Sequence, residues 1–173
     1  MLDRRTFAAT ALASGLGLSA DASTTAPEII RASAIHQVVG FKAPPARIYA
    51  ALTDASLFDK VVRASAAMNS GMMGKLGSAP TAIDARAGGA FALFGGYVTG
   101  FNLVLEPETR LVQAWRAGSW SSDRFSIADF VLAPQGTGTQ ITFDHRGFPD
   151  DAAAHLAKGW HDNYWEPMGR VIT

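Results

Sequence analysis

Three of the chain's four histidines, His145, His155 and His161, fall within residues 145–167, alongside Asp162, Glu166 and two of the four tryptophans, Trp160 and Trp165. Imidazole and carboxylate at this density are the raw material of a metal centre or an acid–base site. The spacing argues against the metal. His155 and His161 are six positions apart, which at about 100° per helical residue leaves them about 120° off a common face. They cannot grip one ion as an i, i+4 pair does, and no HExxH motif is present. A zinc or iron site would need His145 from the preceding segment plus Asp162 or Glu166. The sequence therefore predicts no metal and no cofactor.

His145 is the most informative single residue. It ends the alternating set Ile141, Phe143, His145, which a strand projects to one face. One reading makes it a polar anchor or general acid/base inside an apolar cavity, its ordinary pKa of about 6.5 tuned by burial. The other makes it a hydrogen-bonded core histidine that orders the turn before Gly147-Phe148-Pro149. Asp144 projects to the opposite face, which disfavours an Asp-His dyad.

Other chemistries lack their residues. There is no cysteine, hence no thiolate nucleophile, thiolate metal site or disulfide. No GxSxG elbow is present, and "GMMGKL" fails as a phosphate loop because Leu76 follows Lys75. "GLGLSA" follows no strand and is discarded as a dinucleotide fingerprint. Fifteen basic and fifteen acidic side chains cancel without clustering, which excludes the basic patch that nucleic-acid binding requires. Charged residues are 17% of the chain, against about 25% ordinarily. That surplus of neutral surface suits an enclosed cavity, a membrane-proximal face or a homo-oligomer.

The 173 residues divide into three parts. Residues 1–22 read as an export signal: Arg4-Arg5 and Phe7 precede a mildly apolar run ending at Ala20-Asp21-Ala22. The run is too short to span a bilayer, which takes about 20 residues, so no stable membrane insertion is expected once it is cleaved. The destination implied is the periplasm; a frayed helix on a cytoplasmic protein is the alternative. Residues 23–32 form a linker, and 33–173 one domain.

Within that domain "SAIHQVVGFKAPP" predicts a strand, and Pro45 starts a helix through "PARIYAALTD" that "ASLFDKVV" extends. Residues 63–79 are Met-rich and Gly-punctuated. They are read either as a mobile loop or loose helix at the mouth of the domain, or as a surface insertion. From Thr81 onward Gly-rich and polar turns separate successive strands, as in "PETR" and "PQGTG". Phe101, Leu103 and Leu105, and likewise Ala128, Phe130 and Leu132, are each read as one inward face. Leu156, Trp160, Tyr164 and Met168, continuing to Val171, draw an apolar stripe at i, i+4. Pro167 predicts a bend in that helix, and Gly159 implies close approach by a neighbouring element.

Taken in order, "FKAPPARIYAALTD", "GGAFALFGGYVTGFNLVLEPETRLVQAWR", "GTQITFDHRGFP", "GW" and "YWEP" resemble the domain named for the activator of the heat-shock-protein-ninety ATPase. That family lies within the START-related, SRPBCC or polyketide-cyclase-like group. The resemblance implies an α+β helix-grip fold: a curved antiparallel sheet of about six or seven strands around a long C-terminal helix, with two short helices after the first strand. It also implies a cavity between sheet and helix.

Its candidate walls are Phe101, Trp115, Phe130, Phe143, Trp160 and Tyr164, with His145 and Arg116 as polar handles. The leading expectation is an exported protein that binds a small hydrophobic or aromatic molecule between sheet and helix, oriented by His145 and Tyr164. A cyclase or dehydratase using His145, and a cytosolic ATPase activator, are the alternatives.

Overall fold

The computed structural model describes residues 33–70 and 76–172. The export signal, the linker and residues 71–75 of the Met-rich segment lie outside the described residues.

Strand β1 (Ser33–Phe41) runs into Pro44-Pro45, where a fixed φ opens α1 (Pro45–Thr53) at its first turn. Asp54 both ends α1 and caps α2 (Ala55–Ala64), its Oδ1 accepting from the backbone N–H of Ser56 and Leu57 at 2.8 and 2.9 Å. Ser65 caps the single turn α3 (Ala66–Asn69) in the same manner. The Met-rich segment thus begins as helix.

Six further strands follow: β2 (Ala82–Ile83), β3 (Ala90–Leu93), β4 (Val98–Glu106), β5 (Arg110–Ala117), β6 (Ser126–Gln135) and β7 (Gly138–Phe148). They build one antiparallel seven-stranded sheet in the order β1-β7-β6-β5-β4-β3-β2. The C-terminal helix comprises α4 (Ala153–Trp160), a π turn (His161–Trp165) and α5 (Glu166–Val171). This is the α+β helix-grip arrangement.

The helix presents Leu156, Trp160, Tyr164 and Met168 to the sheet, each at most 8% exposed. Trp165 is buried as well, because the π turn inserts one residue per turn and swings it inward beside Tyr164. Just before Pro167 the last bond of the π turn runs from Glu166 N–H to the His161 carbonyl, five residues back.

Two expectations are corrected. In β4, Phe101 and Leu103 are 44% and 43% exposed on the outer face, while the polar Asn102 is fully buried. A register shift between Asn102 and Val104 then turns Leu105 to the Leu111 side of the sheet. The crowding at Gly100, which faces Trp115 across the ladder, accounts for this parity. A Cβ at Gly100 would stand 2.0 Å from the Ala114 carbonyl oxygen and 2.5 Å from the Phe91 ring, so glycine takes the inward position and sets the strand's parity. Gly159, for its part, has no close neighbour: a Cβ there would meet nothing within 4 Å.

Candidate functional site

Helix and sheet meet in two different ways. Across β6 and β7 the interface is solid: Trp160 packs 4.4 Å from Phe143 and 5.7 Å from Phe130, and Trp165 lies 5.2 Å from Phe143. Toward the turn between β3 and β4, the end of β5 and α3, the helix stands clear of the sheet. The gap is a cavity of about 420 Å3, within the range of about 300–1,000 Å3 found for small-molecule sites.

Trp115, Trp160 and Tyr164 line it, joined by Phe94, Trp120 and Leu156. Small residues make the room: Ala66 and Ala67 of α3, Ala117 and Gly159 all border the space. The exposed Ser70, His155, Lys158 and Ser119 mark the mouth. There Lys158 pairs with Asp162, and the Tyr97 hydroxyl donates to Ser119 Oγ at 3.2 Å.

Phe94 reaches the cavity from an unusual backbone. It opens the short 3-10 turn Phe94–Gly96 with φ of 50°, and Gly95 and Gly96 follow at 70° and 91°. Left-handed geometry at a bulky residue is strained. Its neighbours hold it there: the ring packs 6.0 Å from Phe58 and 5.4 Å from Tyr164. A Cβ at Gly95 would meet the Gly77 carbonyl oxygen at 2.3 Å, so the chain entering β2 lies directly on this turn. "LFGGY" was the sequence signal for this wall, and a Gly-Gly pair between strands reads first as a turn.

Asn163 fastens the other wall. Its Oδ1 accepts from Ala67 N–H at 2.8 Å, and its Nδ2 donates to the Gly159 carbonyl at 3.0 Å. One side chain thereby ties the π turn to α3 across the opening.

His145 is near the cavity without lining it. It is fully buried, with the rings of Phe148, Trp115, Trp160 and Phe143 at 5.0, 5.3, 5.5 and 6.0 Å. Indole N–H only donates, so Trp160 Nε1, at 2.9 Å, makes His145 Nδ1 an acceptor and places the imidazole proton on Nε2. That N–H donates to Ser126 Oγ at 2.7 Å, and Ser126 in turn donates to the Trp115 carbonyl at 2.9 Å. Burial pushes the His145 pKa from 6.5 down to about 3. The ring is neutral, of one tautomer, and both nitrogens are engaged within the protein.

The remaining predicted wall residues are elsewhere. Phe130 and Phe143 belong to the solid part of the core. Phe101 lies on the outer face, 5.9 Å from Phe125. Arg116 shares that outward parity and donates to Thr99 Oγ1 at 3.2 Å and to the Trp120 carbonyl at 3.4 Å. It braces the loop that carries Trp120 instead of facing the cavity. Among the described residues no three of His, Asp and Glu converge as metal ligands would.

Known proteins share this architecture. An HSP90 activator of Plasmodium falciparum superposes with a TM-score of 0.66 at 18% identity, over 80% of this chain and 94% of that one. CalU16 of Micromonospora echinospora does so with a TM-score of 0.60 at 23% identity, over 83% and 76%. At these identities the likeness concerns fold alone. In sequence, the mouse Activator of 90 kDa heat shock protein ATPase homolog 1 is 29% identical over 94 residues, which cover 54% of this chain and 28% of the mouse protein. This chain thus matches under a third of that relative's length. The family model for the Activator of Hsp90 ATPase homolog 1-like protein matches residues 42–172, from the end of β1 through the C-terminal helix, and the chain belongs to that family.

Proposed function

We propose that this domain binds a small, largely apolar molecule in the cavity between the β3–β4 turn, the end of β5, α3 and the C-terminal helix. One observation carries the reading. A cleft of about 420 Å3, open to solvent on one side, runs in beside the helix to the rings of Trp115, Trp160 and Tyr164. A space of this size, walled by rings and rimmed by polar groups, has the composition of a ligand site.

The sequence adds a destination. Arg4-Arg5 and the apolar run to Ala22 support export, so the protein is proposed to act outside the cytoplasm as a carrier or receptor. Native mass spectrometry of protein purified from its own host tests the binding. A small organic adduct is expected on the wild type and is expected to be lost from Gly159→Leu, whose side chain enters the open space. Bare chain mass, with no uptake of apolar fluorescent probes, would remove the proposal. N-terminal sequencing of the mature protein tests export separately.

A second reading is favoured by the named relatives: activation of a heat-shock ATPase. It requires the chaperone and ATP, hence a cytoplasmic protein that keeps its first 22 residues. Stimulation of a purified chaperone's ATP hydrolysis by the full chain would support it. Acid–base catalysis by His145 gains no support from the geometry, since neither nitrogen is free.

A further inference from the structure

Among the described residues, none accepts the hydrogen of the Tyr164 hydroxyl. Its side chain lines the cavity and is only 5% exposed. Its hydroxyl oxygen accepts the Trp115 indole N–H in a long bond of 3.4 Å. Among the described residues no acceptor lies within reach of the hydroxyl's own hydrogen. The neighbouring polar groups differ in this respect. His145, Ser126 and Trp160 spend their donors and acceptors on one another and on the Trp115 carbonyl. Because Trp115 N–H occupies one side of the Tyr164 oxygen, the O–H turns away from it.

Resting on the reading of the cavity as a ligand site, we propose that the ligand is a neutral carbonyl compound whose oxygen accepts this hydrogen bond while its apolar body lies among the rings. Neutrality follows from the surroundings. A carboxylate at that depth would need a cation. The lysine among the lining residues has a side chain 76% exposed and already pairs with Asp162 at the mouth, and His155 is exposed there too. A buried, unpaired anion is strongly disfavoured. The hydroxyl itself stays protonated, since burial raises its pKa. It can therefore donate at any physiological pH.

The test compares two probes of equal shape, 2-acetylnaphthalene and 2-isopropenylnaphthalene, which differ in a carbonyl oxygen against a CH2. Wild-type protein is expected to bind the ketone about tenfold tighter, equivalent to about 1.4 kcal/mol. Its carbonyl stretch should move to lower frequency on binding. In Tyr164→Phe the ketone should fall to the alkene's affinity, the alkene should be unchanged and the infrared shift should vanish. If the wild type binds both probes equally, with no carbonyl shift, the proposal is overturned while the cavity reading stands. If it binds neither, both fall. The wild-type ratio and infrared shift decide the matter even where Tyr164→Phe fails to fold.

Discussion

A proton added to His145 has no favourable place to go. Nδ1 already receives the Trp160 N–H, Nε2 already donates to Ser126, and the surrounding contacts are aromatic rings rather than a carboxylate. With its pKa lowered from 6.5 to about 3 in the fold, this histidine stays neutral where an unfolded chain would take up a proton. Its contribution is complete above the unfolded value and is lost as pH falls from about 6.5 toward 3, at up to about 1.4 kcal/mol per pH unit. Urea unfolding between about pH 7 and pH 5, where most carboxylates are still ionised, isolates the effect. His145→Gln should be less stable at pH 7 yet show a shallower loss on acidification. Parallel slopes in the two proteins would mean that the ring is not held neutral. The sequence offered both readings of His145, because alternation put it on the inward face with Ile141 and Phe143. It could not choose between them, since the choice depends on Ser126 and Trp160, residues 19 and 15 positions away.

At the scale of elements, the parity of β4 shows where pattern reading stops. Phe101, Leu103 and Leu105 alternate as an inward face should, yet Phe101 and Leu103 point out. The strand's orientation is decided by a steric fact about its neighbour. The Ala114 carbonyl on β5 and the Phe91 ring on β3 leave space at position 100 for hydrogen alone. Gly100→Ala is therefore expected to destabilise by about 1–3 kcal/mol, the range for overpacking a filled site, measured as a lower urea midpoint at unchanged m-value. The inward Asn102 that results is satisfied by pairing. It donates to the Asp84 carbonyl at 2.9 Å and accepts from Gln113 at 3.0 Å, which ties the loop before β3 to the sheet. The C-terminal helix was far more legible, because its stripe of Leu156, Trp160, Tyr164 and Met168 needs only the helical period. Even there Trp165 escaped notice, since a π turn has no period-based signature. Gly159 gives the opposite prediction from Gly100. Nothing lies within 4 Å of a Cβ there, so Gly159→Ala should gain up to about 1 kcal/mol from helix propensity alone, read as a raised midpoint. A loss instead would mean that the helix backbone at the cavity needs glycine's freedom.

For the whole molecule, the governing feature is that the helix fits only part of the sheet. Phe130 and Phe143 close the core on one side of Trp160, while Trp115, Phe94 and Tyr164 border open space on the other. The fold class, the strand sequence and the helix that covers the sheet were all readable from periodicity and turn residues. The position of the void was not, since it depends on how far Phe143 and Trp160 interpenetrate and on the small residues Ala66, Ala67 and Ala117. An apolar guest that takes ring surface out of water is favoured by its burial, and it binds only the folded state. At a free concentration one hundred times its Kd such a guest stabilises the fold by about 2.7 kcal/mol, which for a chain of this size raises Tm by about 5–10 °C. Thermal scans with increasing 2-acetylnaphthalene should show that rise in the wild type. The rise should be abolished in Gly159→Leu, where the new side chain occupies the guest's place, although the unliganded variant melts no lower than the wild type. Equal shifts in the two proteins would place the guest somewhere other than this cavity. An ATPase activator working through its outer surface alone, by contrast, should stimulate its chaperone to the same extent whether the void is filled by Gly159→Leu or left open in the wild type, so the same variant separates the two functions.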